Sequence, residues 1–162
     1  MRDGDLDIYS MNFDGSDVVR LTDTIGYDGG PFYSPDGTKI VYRTRHPSDP
    51  AEIEDYQALL EDGLVRPSKL EIWVMDTDGS NKRQITDLGV AAFAPFFHPS
   101  GEKIILSTNY GDPSGREFDL WMSDLDGENL AQITFTEGFD GVPMWAPEGT
   151  TFVFCSHRHN SI

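Results

Sequence analysis

Ser34-Pro35-Asp36-Gly37 is a compact turn signal, and its design returns twice, as His98-Pro99-Ser100-Gly101 and Ala146-Pro147-Glu148-Gly149. Proline presets φ at the second turn position, and glycine accepts the positive φ that closes the turn. Other landmarks repeat with the same two steps along the chain. Ile8-Tyr9 becomes Ile72-Trp73 and Leu120-Trp121, and Asp14-Gly15 becomes Asp78-Gly79 and Asp126-Gly127. Leu21-Thr22 becomes Ile85-Thr86 and Ile133-Thr134, and Pro31 becomes Pro95 and Pro143. Landmarks held in one register three times over define a repeat array.

Each unit predicts four strands. Residues 6–12, 70–76 and 118–124 are rich in β-branched and aromatic side chains and run into Asp-Gly, a hairpin signal. A short strand then ends at Leu21-Thr22 and its counterparts. A further strand is expected to open at Pro31, Pro95 or Pro143, where a missing amide donor is tolerated. The turn that follows leads into residues 39–44, 103–108 or 151–156. The spans Gly15 to Gly37, Gly79 to Gly101 and Gly127 to Gly149, from hairpin to turn, are equal in every unit. From turn to the next hairpin, by contrast, Gly37 to Gly79 is much longer than Gly101 to Gly127. All length variation therefore sits in one connection, at the end of the sheet opposite the two glycine turns. Insertions on one face of a repeat array mark its binding face. In the longer insertion, 47–68, Asp49 is placed as an N-cap, Pro50 at the first helical position and Gly63 as the stop. That predicts a helix over 50–62 with Ile53, Tyr56, Leu59 and Leu60 along one side.

Composition narrows the function classes. A chain of 162 residues, 38% hydrophobic and 25% charged, is read as one domain spanning 1–162. Its 16 Gly and 10 Pro favour a turn-rich all-β chain. With 28 acidic against 12 basic residues the net charge is −16. That field repels phosphate backbones and anionic headgroups, so no nucleic acid and no direct membrane insertion are expected. Cys155, the single cysteine, excludes an internal disulfide framework and a multi-cysteine zinc site, and is expected to be half-buried and structural. The opening residues lack the apolar run of a signal peptide.

The pattern of Ile-Tyr/Trp, Asp-Gly, Leu-Thr, Pro and Ser-Pro-Asp-Gly resembles the repeat of TolB-type β-propellers, over nearly the whole chain outside the insertion. The insertion and the strands that follow it also look like a bacterial TolB-like subgroup. The resemblance implies that each four-stranded unit is one blade of a ring that typically has six. It also implies an exported, periplasmic scaffold that docks a protein partner, with no catalysis and no cofactor. The expected fold is an all-β propeller segment of three four-stranded blades, half of a six-bladed ring, with one inserted helix. Its twelve strands start with the third strand of a blade and end with the second. Two completions stay open: a longer polypeptide, or a homodimer closing a twofold ring. The rival function is a regulatory or gating propeller of a larger hydrolase, prolyl-oligopeptidase-like or amidohydrolase-like. No Gly-x-Ser-x-Gly elbow occurs within this chain.

Candidate binding residues come from one comparison between units. Residues 26–31 (GYDGGP) and 138–143 (GFDGVP) occupy the same place in the first and third units. The middle unit has VAAFAP at 90–95, so the aspartate is not needed to build a blade. Asp28 and Asp140 are candidates to hold a cation or receive a partner's basic group, unless each caps its own turn through an Asx bond. Tyr27, Phe139 and the helical Tyr56 complete the expected ligand- or partner-binding set. No catalytic residue and no metal site are expected. His157 and His159 lack the further ligands that a closed zinc site requires and are read as surface residues. His98 replaces a turn serine and is read as structural, and His46 carries no role visible in the sequence. Asp14, Asp78 and Asp126 are read as builders of their hairpins.

Overall fold

The repeat register becomes a stack of antiparallel sheets in the computed structural model, which describes residues 5–66 and 69–158. The strands are β1 (Tyr9–Ser10), β2 (Val19–Arg20), β3 (Tyr27–Tyr33), β4 (Lys39–Arg45), β5 (Glu71–Asp76) and β6 (Arg83–Gln84). They continue as β7 (Ala92–Phe97), β8 (Lys103–Thr108), β9 (Asp119–Asp124), β10 (Ala131–Gln132), β11 (Asp140–Trp145) and β12 (Phe152–Ser156). Strands β3-β4-β5-β6 form one complete sheet, blade 1, and β7-β8-β9-β10 another, blade 2. β1-β2 is the outer half of a preceding blade, and β11-β12 is the inner half of a following one.

Turn chemistry sets one end of every blade. The amides of Gly37, Gly101 and Gly149 donate to the carbonyls of Ser34, His98 and Ala146 at 2.9, 2.8 and 2.9 Å. In the hairpins, Asp14, Asp78 and Asp126 each accept from the amide two residues on, at 3.0, 2.9 and 3.0 Å, as their turn role predicts. Each Leu-Thr landmark also has a cause. The hydroxyls of Thr22, Thr86 and Thr134 accept from the amides of Ile8, Ile72 and Leu120 at 2.9, 2.8 and 2.9 Å. The same hydroxyls donate to Asp7, Glu71 and Asp119.

The prolines sit differently from expectation. Strands β3, β7 and β11 begin three or four residues before their prolines and run through them. The ladder register shifts between Gly29 and Phe32, Phe93 and Phe96, and Gly141 and Met144. Inside each bulge the residue before proline is left-handed, with Gly30, Ala94 and Val142 at φ 60°, 48° and 56°. A bulge leaves one residue out of the ladder, so proline's missing amide costs no strand pairing there.

Neighbouring blades are stitched by one recurring bond. The amides of Asp28, Ala92 and Asp140 donate to the carbonyls of Leu6, Leu70 and Phe118 at 2.8, 2.9 and 2.7 Å. Between blades the packing is apolar on both faces of the middle strands. Ile40 and Tyr42 of β4 pack with Ile8 and Leu21, while Val41 between them packs with Ile104 and Leu106. A strand buried on both sides must be apolar at successive positions, which accounts for the run Ile40-Val41-Tyr42. Each such side chain contributes about 1.5–3 kcal/mol through burial.

The insertion folds as the helix α1 (Pro50–Glu61). Asp49 caps it, accepting from the amides of Ala51 and Glu52 at 2.8 and 3.3 Å, and Gly63 at φ 74° follows its end. Of its predicted apolar side only Tyr56 is buried. Among the described residues no helix is long and apolar enough to cross a membrane.

Candidate functional site

With this strand order, α1, the connection after β8 and the entries to β3, β7 and β11 share one end of the blades, opposite the glycine turns. Three aromatic side chains mark that end. Tyr27 lies over Gly29, where an added Cβ would sit 2.6 Å from the Tyr27 hydroxyl. Phe139 lies over Gly141 in the same way, 2.3 Å from such a Cβ. Blade 2 reverses the pair: Ala91 is small and Phe93, two residues on, carries the ring. Residues two apart share a face of a strand, so each unit keeps one aromatic in one of two seats.

Phe93 joins the parts that the sequence singled out. Its ring packs on Phe118 at 5.2 Å and lies parallel to Phe139 at 6.3 Å. With Tyr27, Arg43, Val65 and Leu70 it also lines an open cavity of about 300 Å³ between blades 1 and 2. Arg43 donates through Nε and Nη2 to the Tyr27 hydroxyl at 2.9 and 2.6 Å, and its guanidinium carbon stands 5.4 Å from that ring's centroid. Neither Arg43 nor Phe93 stood out in the sequence. Their signal is the departure from the other units, which have Ser107 and Cys155 in place of Arg43 and glycines in place of Phe93.

The two aspartates are buried, each 1% exposed, and both bond across the sheet rather than within their own turns. Asp28 Oδ1 lies 3.1 Å from His46 Nε2, which is 2.8 Å from the hydroxyl of Thr44, the ladder partner of Asp28. Asp140 Oδ2 accepts from Arg158 Nη2 at 2.5 Å, and Arg158 also donates to Ser156, the ladder partner of Asp140. The middle unit has Ala92 opposite Thr108, with Tyr110 where the base would stand. Acid and base are present together or absent together, so a base from the same blade already engages each carboxylate. His46 thus has a partner that the sequence did not reveal, and its ring meets Trp73 edge-on at 5.8 Å. The second oxygen of Asp28 and the hydroxyl of Tyr42 are buried with no hydrogen-bond partner among the described residues. Burial, and then the charge of Asp28, push the Tyr42 hydroxyl well above its ordinary pKa.

Tyr56 faces inward. Its hydroxyl accepts from the amide of Leu6 at 3.1 Å and lies 2.7 Å from the Gly26 carbonyl and 3.0 Å from Asp5 Oδ1, two acceptors for its single proton. Burial first, and then Asp5, raise its pKa. Tyr56 also lines a small pocket under α1 together with Tyr27 and Arg45. Cys155, expected to be half-buried, is exposed on β12. His98 bridges two units, bonding to Ser100 Oγ at 2.9 Å and the Gly149 carbonyl at 3.0 Å. His159 lies outside the described residues, and among those described no three acidic, histidine or cysteine side chains group to hold a metal.

Repeated four-stranded blades, bulged inner strands and a bond from each blade to the next define a β-propeller segment. Structures of known proteins bear this out. TolB from Acinetobacter baumannii superposes with a TM-score of 0.70 at 16% identity, covering 96% of this chain and 33% of that one. A TolB candidate from Agrobacterium tumefaciens gives 0.65 at 27% identity, covering 93% and 50%. A puromycin-hydrolyzing peptidase from Mycobacterium tuberculosis gives 0.53 at 15% identity, covering 78% and 16%. An uncharacterised protein of Agrobacterium fabrum is 29% identical over 161 residues, 95% of this chain. The chain spans about half the length of that curated relative, 48%. No family model matches the sequence. By fold and repeat the chain is a β-propeller segment similar to the propellers of TolB proteins.

Proposed function

We propose that the chain is a non-catalytic binding scaffold whose insertion face engages a protein partner or a small ligand. The observation that carries this reading is the asymmetry between the two ends of the blades. Both ends carry an open cavity, but the turn end is lined by charged residues such as Lys39, Asp76 and Arg83, whereas the other gathers α1 and the aromatics Tyr27, Phe93 and Phe139. In this reading Tyr27 and Phe139 touch the partner, while Asp28, Asp140 and Tyr56 hold the face in shape. A periplasmic setting belongs to the same reading, on the family likeness alone. So does closure of a six-bladed ring by two copies, each supplying half of two shared blades. The rival reading is a regulatory propeller of a larger hydrolase, because a peptidase carries the same fold.

The test is to titrate the ¹⁵N-labelled chain with a library of peptides and small molecules. Saturable shifts are expected at amides around Tyr27, Phe93, Phe139 and α1. Shifts confined to the turns at Gly15, Gly37 and their counterparts would refute the reading.

A further inference from the structure

We propose that the cavity between blades 1 and 2 binds a small molecule carrying a carboxylate on a flat apolar group. The proposal rests on the scaffold reading and names the ligand chemistry of that face. The carrying observation is Arg43. In a chain of formal charge −16, the guanidiniums or ammoniums of Arg20, Lys39, Arg45, Arg66, Lys103 and Arg158 each meet a carboxylate. Among the described cations that meet no carboxylate, Lys69, Lys82, Arg83 and Arg116 are exposed to water, whereas Arg43 is half-buried and donates only to the Tyr27 phenol. A guanidinium carries five N–H donors in a planar fork, so three remain for an acceptor. Building a blade does not call for this charge, because the same ladder position is Ser107 in blade 2 and Cys155 in β12.

The surroundings fit a carboxylate with an apolar body. The Tyr27 oxygen accepts from Arg43 twice and keeps its own proton to donate. Phe93, Val65 and Leu70 supply the apolar part of the same lining. The volume, about 300 Å³, is at the small end of the range for ligand pockets. A carboxylate would take the open edge of the Arg43 fork with a bond from Tyr27, and a flat body would lie against the Phe93 ring. Arg43 is already held by Tyr27, so little side-chain freedom is lost on binding.

The test follows the amides of the full ¹⁵N-labelled chain while phenylacetate, and separately its neutral counterpart phenylacetamide, is added. Saturable shifts at Tyr27, Arg43, Leu70 and Phe93 are expected, with the acid binding about tenfold more tightly than the amide. Arg43→Gln is expected to abolish that preference. Gly29→Ala, whose Cβ would displace the Tyr27 ring, should weaken the acid with Arg43 intact. Equal binding of acid and amide, shifts elsewhere, or no saturable shift would overturn the proposal. The wild-type contrast of acid with amide decides the matter even where a variant fails to fold. Should the acid fail while other library members shift the same face, the carboxylate proposal falls and the scaffold reading stands. Should nothing shift that face, both fall.

Discussion

Arg158 and Asp140 are unequal partners: the carboxylate is sealed in the sheet, while the guanidinium is nearly half exposed. Removing the base strands a buried charge, whereas removing the acid leaves a cation that water can reach. Arg158→Ala should therefore cost about 2 kcal/mol. Asp140→Ala, which reproduces Ala92 of the middle unit, should cost clearly less. Urea midpoints at constant slope would show the order, and equal losses would contradict the argument. The sequence displayed both aspartates and even their absence from the middle unit. It could not display their partners, because His46 and Arg158 stand at the far end of the next strand and meet the acid only through the ladder register. From sequence, Asp28 and Asp140 therefore stay open to a cation, a partner's basic group or an Asx bond in their own turns.

Hairpins show how one motif carries different weight at different places. A Cβ added at Gly127 would lie 2.2 Å from the Ile85 carbonyl oxygen, and one at Gly79 would lie 2.8 Å from that of Leu21. The hairpin of each full blade therefore rests on the backbone of the blade before it. Gly15 has nothing within 4 Å. Gly127→Ala should cost about 2 kcal/mol or more, and Gly15→Ala only the roughly 1 kcal/mol of a left-handed alanine. Thermal or urea unfolding would separate the two, and equal costs would refute close inter-blade seating. The helix carries its own test through Tyr56. Its proton is held in the fold, so the associated stabilisation is complete below pH 10, the ordinary phenol value, and is lost as pH rises above it. Absorbance titration should show late-ionising tyrosine accompanied by alkaline loss of the fold, and Tyr56→Phe should lessen that alkaline loss. The helix and its cap were legible because Asp49, Pro50 and Gly63 are local signals. The proline bulges were not, since proline suits both a strand's first residue and a bulge, and only the ladder tells them apart.

Across the molecule, the two steps that every landmark shares made the blade count and the half blades legible before any contact was known. They also fix the register in which a shared blade would close. Val41 opposite Val74 and Ile105 opposite Met122 carry over to Val153 opposite Ser10. In a Cys155→Ser background, Val153→Cys with Ser10→Cys should then form a disulfide between two copies. Light scattering should give twice 18.1 kDa. A single-chain mass at every concentration, without crosslinking, would exclude a ring built from two copies.

The two aromatic seats have a further consequence. They lie roughly 6.6 Å apart along a strand, and moving a ring between them takes only an exchange of a small residue for a large one. Phe93 occupies the far seat and thereby forms one wall of the Arg43 cavity. Ala91→Phe with Phe93→Gly would return blade 2 to the pattern of its neighbours and remove that wall. A repeated blade thus carries a two-residue toggle, by which the same scaffold gains or loses a cavity without altering a single strand.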